Sequence, residues 1–468
     1  MPDTPRLVIS GPHRSAGKTT VSTGLCDALR RSGLDVQPFK KGPDYIDPMW
    51  LSSASGRSCR NLDFHMMGDE NILRSFNSAA AGADISIIEG NLGLFDGLDL
   101  EGHDSTAGLA HLLEAPVVLV VDASRMNRGV APLLHGYNTF DPELNIAGVI
   151  LNKVGSARHE SKLRRAIERY VGIEILGVIP RQAEEMTVTE RHLGLIPVKE
   201  DPSLYEKINV IGEFVEKCVN LERVREIAGA AGELPDVEPC HRPAAEKSVR
   251  IGVAMDRAFT FYYAENLEAL EAEGASLVPF SPLEDTDLPD VDALYIGGGF
   301  PEVFMAELEA NERIRARIRD EIEKGTPVYA ECGGLMYLTR SISWNGVKKK
   351  MVGALPCDVE MTKKPVGLGY VTLEPTGEAG WLRPGGSINC HEFHHSRLVN
   401  LPDDTSFAWE VRRGVGMGSH RDGIVYKNVL ASYAHLHYCG AISWARDFVA
   451  LAKSVAASEH MEAGVHAG

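Results

Sequence analysis

Short apolar runs alternate with helix-length segments through most of this chain, and no other feature restricts its fold so tightly. In the first half the runs lie at residues 7–10, 35–39, 85–88, 116–121, 146–151 and 173–179. Helix-length stretches such as 18–31, 106–113 and 159–171 separate them. Strands this short and continuously apolar are buried on both faces, which calls for a parallel sheet covered by helices on either side. Ligands on such sheets bind beyond the carboxyl ends of the strands, so the residues just after each run are the ones to inspect.

The alternation breaks at residues 221–247, which end in AGAAGELPDVEPCHRPAAEK, rich in Ala, Gly, Pro and charge. That composition reads as an interdomain linker. A second alternating set follows with runs at 249–254, 294–296 and 327–330, and from about residue 352 Gly and Pro punctuate shorter strands. The expected division is a first α/β domain over 1–222, a linker over 223–247, a second α/β domain over 248–452 and a frayed tail over 453–468. A length of 468 residues accommodates this, at roughly 100–200 residues per domain.

Charge narrows the function classes. Lys and Arg total 48 against 65 Asp and Glu, a net charge of −17, so the surface as a whole repels phosphate backbones and nucleic acid is not an expected partner. No apolar stretch approaches the ~20 residues of a membrane helix, and the N-terminus lacks a secretion signal. The eight cysteines are scattered without a CxxC pair, as in cytosolic thiols. A cytoplasmic location is the expectation, with no membrane partner.

Directly after the first run stands Gly11-Pro12-His13-Arg14-Ser15-Ala16-Gly17-Lys18-Thr19-Thr20. A glycine-bounded turn at a helix N-terminus aims backbone N–H groups and the positive end of the helix dipole at an anion. Lys18 would then reach the β- and γ-phosphates of a nucleotide, and the Thr19 hydroxyl would ligate Mg²⁺. The next strand ends carry carboxylates: Asp44 and Asp47 in Lys40-Lys41-Gly42-Pro43-Asp44-Tyr45-Ile46-Asp47-Pro48, then Glu89 and Asp96 in Glu89-Gly90-Asn91-Leu92-Gly93-Leu94-Phe95-Asp96. A lone Asp is more often a turn former than a ligand. Two acid-bearing loops beside a phosphate loop point instead to nucleotide-dependent chemistry. Asn152 and Lys153 end a further strand and are candidates for the adenine base.

In the second half, Val328-Tyr329-Ala330-Glu331-Cys332-Gly333-Gly334-Leu335 turns an apolar strand abruptly into a helix. Cys332 there is expected to be exposed, with the helix N-terminus favouring its thiolate. A buried structural thiol is the usual alternative, but the two glycines behind Cys332 suit a strained turn open to substrate. Ser432-Tyr433-Ala434-His435-Leu436-His437 supplies a base, and strand alternation puts His435 and His437 on one face. Gly297-Gly298-Gly299 offers backbone donors for an oxyanion hole. These parts describe thiol-mediated amide hydrolysis. Cys390-His391-Glu392-Phe393-His394-His395 lacks a second ligand cluster of zinc spacing and reads as a strand with structural or substrate-facing histidines.

At this point the chain resembles the cobyrinic acid a,c-diamide synthase family, the glutamine-dependent a,c-diamide synthases of modified tetrapyrroles. KGPDYIDP, SCRNLDFHMM, EGNLGLFDG, LNKV, YIGGGFPE, AECGGLMYL, CHEFHHS and ASYAHLHY carry the resemblance in order along nearly the whole chain. The G-x5-GKT spacing is also that of the dethiobiotin synthetase fold. The resemblance implies a P-loop, dethiobiotin-synthetase-like parallel-sheet domain followed by a class I, triad-type glutamine amidotransferase domain.

It further implies a glutamine-hydrolysing carbon–nitrogen ligase of cobalamin biosynthesis. Glutamine is cleaved by Cys332 with His435 as base and His437 in reserve. Gly298, Gly299 and Gly333 form the oxyanion hole. ATP is bound by Gly11, Gly17, Lys18, Thr19, Thr20, Asn152 and Lys153. Thr19, Asp44 and Glu89 hold Mg²⁺, while Asp44, Tyr45, Ile46, Asp47, Glu89 and Asp96 line the site where ammonia displaces phosphate from an acyl phosphate. Arg14-Ser15-Ala16 departs from the Ser-Gly-x of relatives and makes the phosphate loop more cationic.

The expected substrates are glutamine and a polycarboxylate tetrapyrrole, cobyrinate first, with hydrogenobyrinate, nickel-sirohydrochlorin and sirohaem as alternatives. A ParA-like switch ATPase would account for the first half but not for Cys332, the triple glycine and His435. A homodimer is left open by the sequence.

Overall fold

The first set of apolar runs becomes a seven-stranded sheet in which every strand is parallel to its neighbours. Its strands are β1 (Arg6–Ser10), β2 (Val36–Lys41), β3 (Arg60–Leu62), β4 (Ile85–Glu89), β5 (Val117–Asp122), β6 (Ile146–Val154) and β7 (Ile175–Pro180). The order across the sheet is β3-β2-β4-β1-β5-β6-β7. Leu7, Val8, Ile9 and residues 117–121 are fully buried, as two-sided coverage requires. The computed structural model describes residues 4–181, 190–191, 194–195, 203–238, 245–383, 385–440 and 444–466. It divides into two units, residues 1–64 with 68–240 and residues 65–67 with 241–468.

The helices of the first unit are α1 (Lys18–Arg31), α2 (Ile46–Ser55), α3 (Phe64–Ala80), α4 (Thr106–Leu112), α5 (Val130–Phe140), α6 (Ala157–Tyr170), α7 (Leu204–Cys218) and α8 (Leu221–Gly229). A two-stranded ladder joins β8 (Glu190–Arg191) to β9 (Gly194–Leu195). Helix α8 corrects the linker reading at its start. Asn220 caps it by accepting from Arg223 N, and Val224, Ile227 and Ala228 form a buried stripe at helical spacing. The Ala- and Gly-rich composition hid that stripe. Residues 239–244 of the expected linker lie outside the described residues. The three-residue edge strand β3 was too short to register as an apolar run.

The second unit contains β10 (Val249–Ala254), β11 (Phe259–Phe261), β12 (Ala275–Phe280), β13 (Ala293–Ile296), β14 (Gly298–Gly299), β15 (Val328–Glu331), β16 (Ser341–Trp344) and β17 (Val347–Lys350). It continues with β18 (Asp358–Met361), β19 (Gly367–Pro375), β20 (Ile388–His394), β21 (Ser396–Val399), β22 (Ser406–Arg413), β23 (Arg421–Tyr426) and β24 (Val429–Ser432). Nine of these form one mixed sheet in the order β12-β10-β13-β15-β24-β23-β22-β19-β20. The first five are mutually parallel and the rest run antiparallel.

Its helices are α9 (Ala264–Ala272), α10 (Met305–Ala310), α11 (Glu312–Lys324), α12 (Gly333–Leu338) and α13 (Trp444–His466). Helix α13 runs through the stretch expected to fray. Trp444, Ala445, Phe448, Val449 and Ala452 bury one side of its first turns and tether it. Among the described residues no helix is long and apolar enough to cross a membrane.

Candidate functional site

In the first unit the sheet order places β1 between β4 and β5, and β2 beside β4, so three functional loops converge at neighbouring carboxyl ends. The phosphate loop leaves β1 and enters α1 through Gly17, whose φ of 97° lies in the left-handed region. No side chain caps α1 and its first turn holds no acid, which suits the end for an external anion. Lys18 Nζ donates to the carbonyls of Leu92 (2.6 Å) and His13 (3.2 Å), curling across the loop. Burial, with Lys40 nearby, brings its ammonium down to about 8. Thr20 is half-buried on α1, while Gly11 is buried where the loop begins.

Register explains the charged cluster beside this loop. Lys40 on β2 pairs across with Glu89 on β4, and their side chains meet at 2.7 Å. Lys40 also reaches Asp47 at 2.6 Å, while the Thr19 hydroxyl donates to Glu89 at 2.7 Å and to Asp47 at 3.3 Å. Burial works against the Lys40 ammonium, yet Asp47 and Glu89 hold its pKa well above the ordinary value. Burial raises Glu89, with Asp47 adding to the effect. Burial pushes Asp47 up as well, but Lys40 outweighs it and the carboxyl sits below its usual range.

Asp44 behaves differently from its sequence expectation. Its Oδ1 accepts from the backbone N–H groups of Ile46 and Asp47, so it shapes the entry to α2, and Asp47 takes the place beside Thr19 and Glu89. Burial, then Asp47, pushes Asp44 up to about 7. Tyr45 and Ile46 are buried at that turn, and Asp96 accepts from Gly93 N within the loop after β4. Lys40, to which the sequence reading gave no role, is central. Its signal was a lysine at a buried strand position.

The cluster suits a hard divalent cation. Among the described residues Glu89 Oε2 is buried without a hydrogen-bond partner, beside the Thr19 hydroxyl and Asp47. No group of three His, Cys, Asp or Glu ligands converges among the described residues. Mg²⁺ commonly takes one or two carboxylates and completes its shell with water and substrate phosphates. Asn152 braces the phosphate loop, its Nδ2 donating to Ala16 O at 3.0 Å; Lys153 Nζ pairs with Asp122 at the end of β5 at 2.8 Å and reaches the loop at Ser15 O at 3.5 Å.

In the second unit Cys332 follows β15 and His435 lies just beyond β24, adjacent parallel strands whose register pairs Glu331 with Ser432. Cys332 has φ 45° and ψ −97°, a strained conformation for a side-chain-bearing residue at a strand-to-helix turn. Its N–H donates to Ser432 O at 2.7 Å, and its carbonyl accepts the α12 bond from Met336 N. The thiol is not exposed, however, since only 6% of the residue is accessible. Burial pushes the thiol pKa up and the carboxylates Glu302 and Glu331 add to the rise. Desolvation thus works against the thiolate that the helix N-terminus was expected to favour.

The glycines of the second loop lie at the same strand ends. A Cβ on Gly298 would come within 2.6 Å of His435 Cε1, and one on Gly333 within 2.9 Å of Gly299 N. Gly298 thus lies against the His435 ring and Gly299 against the Cys332–Gly333 turn. His435 and His437 do not share a strand face, because β24 stops at Ser432. His435 forms an isolated bridge to His391, on whose ring it stacks at 4.9 Å. His437 turns to the Tyr263 ring and pairs with Glu265 at 3.8 Å.

Two buried carboxylates hang this segment: Asp422 accepts from Tyr433 N and Ala434 N, and Glu331 accepts from Leu436 N. The CHEFHH stretch forms β20 and its continuation. His394 stacks on Tyr433, and Phe393 O lies 3.8 Å from Cys332 Sγ.

A phosphate-loop unit and an amidotransferase-type unit on one chain define a glutamine-hydrolysing carbon–nitrogen ligase. Residues 7–196 match the family described as the CobQ/CobB/MinD/ParA nucleotide binding domain, and residues 250–441 match the CobB/CobQ-like glutamine amidotransferase domain. Cobyrinate a,c-diamide synthase of Magnetococcus marinus is 50% identical over 94% of this chain and 96% of its own. The Methanosarcina acetivorans protein of that name is 45% identical over 92% of each chain. That of Archaeoglobus fulgidus is 44% identical over 96% of this chain and 97% of its own. The chain belongs to the cobyrinate a,c-diamide synthase family.

Proposed function

We propose that this enzyme converts cobyrinate to its a,c-diamide, using ATP to activate each carboxylate and glutamine to supply each nitrogen. The carrying observation is identity of 50% over nearly the full length of a cobyrinate a,c-diamide synthase. The two arrangements of side chains support the reading. A carboxylate does not react with ammonia until one oxygen becomes a leaving group. Transfer of the γ-phosphoryl group from ATP to that oxygen makes an acyl phosphate and ADP. Ammonia then attacks the carbonyl carbon, and phosphate departs to leave the amide.

Lys18, Lys40 and the α1 N-terminus would neutralise charge on the transferring group. Gly11, Gly17, Thr20, Asn152 and Lys153 form or brace the ATP cradle. Thr19, Glu89 and Asp47 would hold Mg²⁺, which supplies further charge neutralisation when bound. Asp44, Tyr45, Ile46 and Asp96 shape the loops facing the substrate carboxylate.

In the second unit Cys332 attacks the glutamine amide carbon while His435 takes the thiol proton and returns it to the departing ammonia. The backbone N–H groups of Gly298, Gly299 and Gly333 would face the developing oxyanion. Water then cleaves the thioester to glutamate.

The test is incubation with ATP, Mg²⁺ and glutamine, separately with cobyrinate, hydrogenobyrinate, nickel-sirohydrochlorin and sirohaem, read by mass spectrometry. Double amidation of cobyrinate supports the proposal, and amidation of another macrocycle alone reassigns the substrate. Hydrolysis of glutamine with no macrocycle amidated would overturn the tetrapyrrole reading. Cys332→Ala is expected to lose glutamine use and keep amidation with free ammonia.

A further inference from the structure

The base assigned to glutamine hydrolysis must be held in one tautomer, and the residue that does so is not apparent from the spacing around it. Two positions after His435 stands His437, which pairs elsewhere, with Glu265. The carboxylate facing His435 comes from the adjacent strand instead. Glu331, the last residue of β15 and the one before Cys332, places Oε2 at 3.5 Å from His435 Nδ1.

That carboxylate is itself oriented. Tyr329 OH donates to Oε1 at 2.7 Å, Tyr295 OH donates to Oε2 at 3.3 Å, and Leu436 N donates to Oε1 at 3.1 Å. Its side chain is 1% exposed. A carboxylate costs several kcal/mol to bury and is normally retained only where hydrogen bonds or charge compensate it.

We propose that Glu331 is the positioning residue of the glutaminase site, completing a Cys332–His435–Glu331 relay in which nucleophile and orienting acid are consecutive in sequence. With Nδ1–H held toward Glu331, Nε2 is the nitrogen that exchanges protons. It takes the proton from Cys332 Sγ as the carbon–sulfur bond forms and gives it to the amide nitrogen as the carbon–nitrogen bond breaks. Ammonia leaves and a thioester remains. Water then attacks the thioester, its proton passes through Nε2 to Sγ, and glutamate is released. The Glu331 carboxylate faces Nδ1 and stabilises the transient imidazolium. Because Glu331 ends β15 and Cys332 follows it directly, one strand end places both the orienting acid and the nucleophile.

This proposal rests on the glutaminase reading above. The decisive variant is Glu331→Gln, which keeps the shape and the acceptor for Leu436 N but removes the charge. Glutamine-dependent kcat is expected to fall roughly 10²-fold with little change in KM for glutamine, while ammonia-dependent amidation and the thermal midpoint hold.

The other groups facing the pair are His391 stacked on His435, Tyr295 and Tyr329 on Glu331, and Glu302 near Cys332. All of these are unchanged in the variant. A wild-type glutamine kcat in Glu331→Gln would show that the carboxylate serves the fold alone and overturn the proposal. If Glu331→Gln does not fold, Glu331→Asp carries the test. Retained charge with a withdrawn carboxylate should lower glutamine kcat at a normal ammonia rate, and unaltered glutamine kcat refutes the role. Absence of glutamine hydrolysis by the wild type overturns the glutaminase reading together with this one.

Discussion

Replacing Gly298 with alanine tests the packing of His435 with a single methyl group. Gly298 does not use a left-handed backbone, so alanine brings no conformational strain of its own, and the perturbation is steric. The new Cβ would stand 2.6 Å from His435 Cε1 and 3.2 Å from Phe261 Cβ. An ordinary carbon–carbon contact begins near 3.5 Å, so the ring must retreat by about 0.9 Å. His391 stacks on the ring at 4.9 Å and Glu331 stands beside Nδ1, so the space behind is already taken. Overpacking of this kind costs about 1–3 kcal/mol.

A displacement of roughly 1 Å at a reacting group costs about 10²-fold in rate. The expected outcome is a glutamine-dependent rate lower by about that factor, ammonia-dependent amidation intact, and a thermal midpoint lowered by a few degrees. Glutamate release and amidation, each measured with glutamine or ammonium salt, separate the two activities. Full glutaminase activity with an unchanged midpoint would refute the packing of His435 against Gly298. Gly299→Ala is the contrasting case, because its Cβ would collide with the backbone carbonyl of Ala258, and loss of folding rather than of one activity is expected.

Lys40→Met leaves Asp47 and Glu89 buried without their cation, and should destabilise the protein by about 3–5 kcal/mol at pH 8 in urea titrations. The deficit should shrink at pH 5.5 as the orphaned carboxylates take up protons, and an equal deficit at both pH values would count against the ion-pair account. Burial, then Asp47, raises the Asp44 carboxyl in the folded state from its ordinary value of 3.8 to about 7, so the folded state binds the proton more tightly. Its contribution to stability is full below pH 4 and is lost as pH rises through 7; Asp44→Asn should flatten the wild-type decline between those limits. Cys332, buried with its pKa raised, should resist iodoacetamide at pH 7.5 in the free enzyme, followed by peptide mass mapping. Rapid labelling there would contradict the raised thiol pKa.

The candidate sites were unevenly legible. Lys18 and Thr19 could be read from local order alone, because a strand, a glycine-bounded turn and a helix are consecutive in sequence and the phosphate cradle is built from that one segment. The strand-to-helix turn at Cys332 was readable for the same reason. Its protonation state was not, since desolvation depends on what covers the thiol, including Phe393 from a strand some sixty positions away. Asp44 and Asp47 were indistinguishable by type and spacing. The start of α2 separates them, turning one toward backbone amides and the other toward Thr19 and Lys40. The helix α8 was missed because its small residues resemble a linker until the face they bury is known.

Sequence alone determined the alternation of strand and helix and the two strand–turn–helix segments around Gly17 and Cys332. Each of these is written in residues within about ten positions of one another, where local propensity and backbone geometry decide. The pairing of Lys40 with Glu89, of Glu331 with His435 and of Gly298 with the His435 ring was decided only by tertiary structure. Those partners are far apart in the chain, and strand order and register, set by burial of whole faces, bring them together.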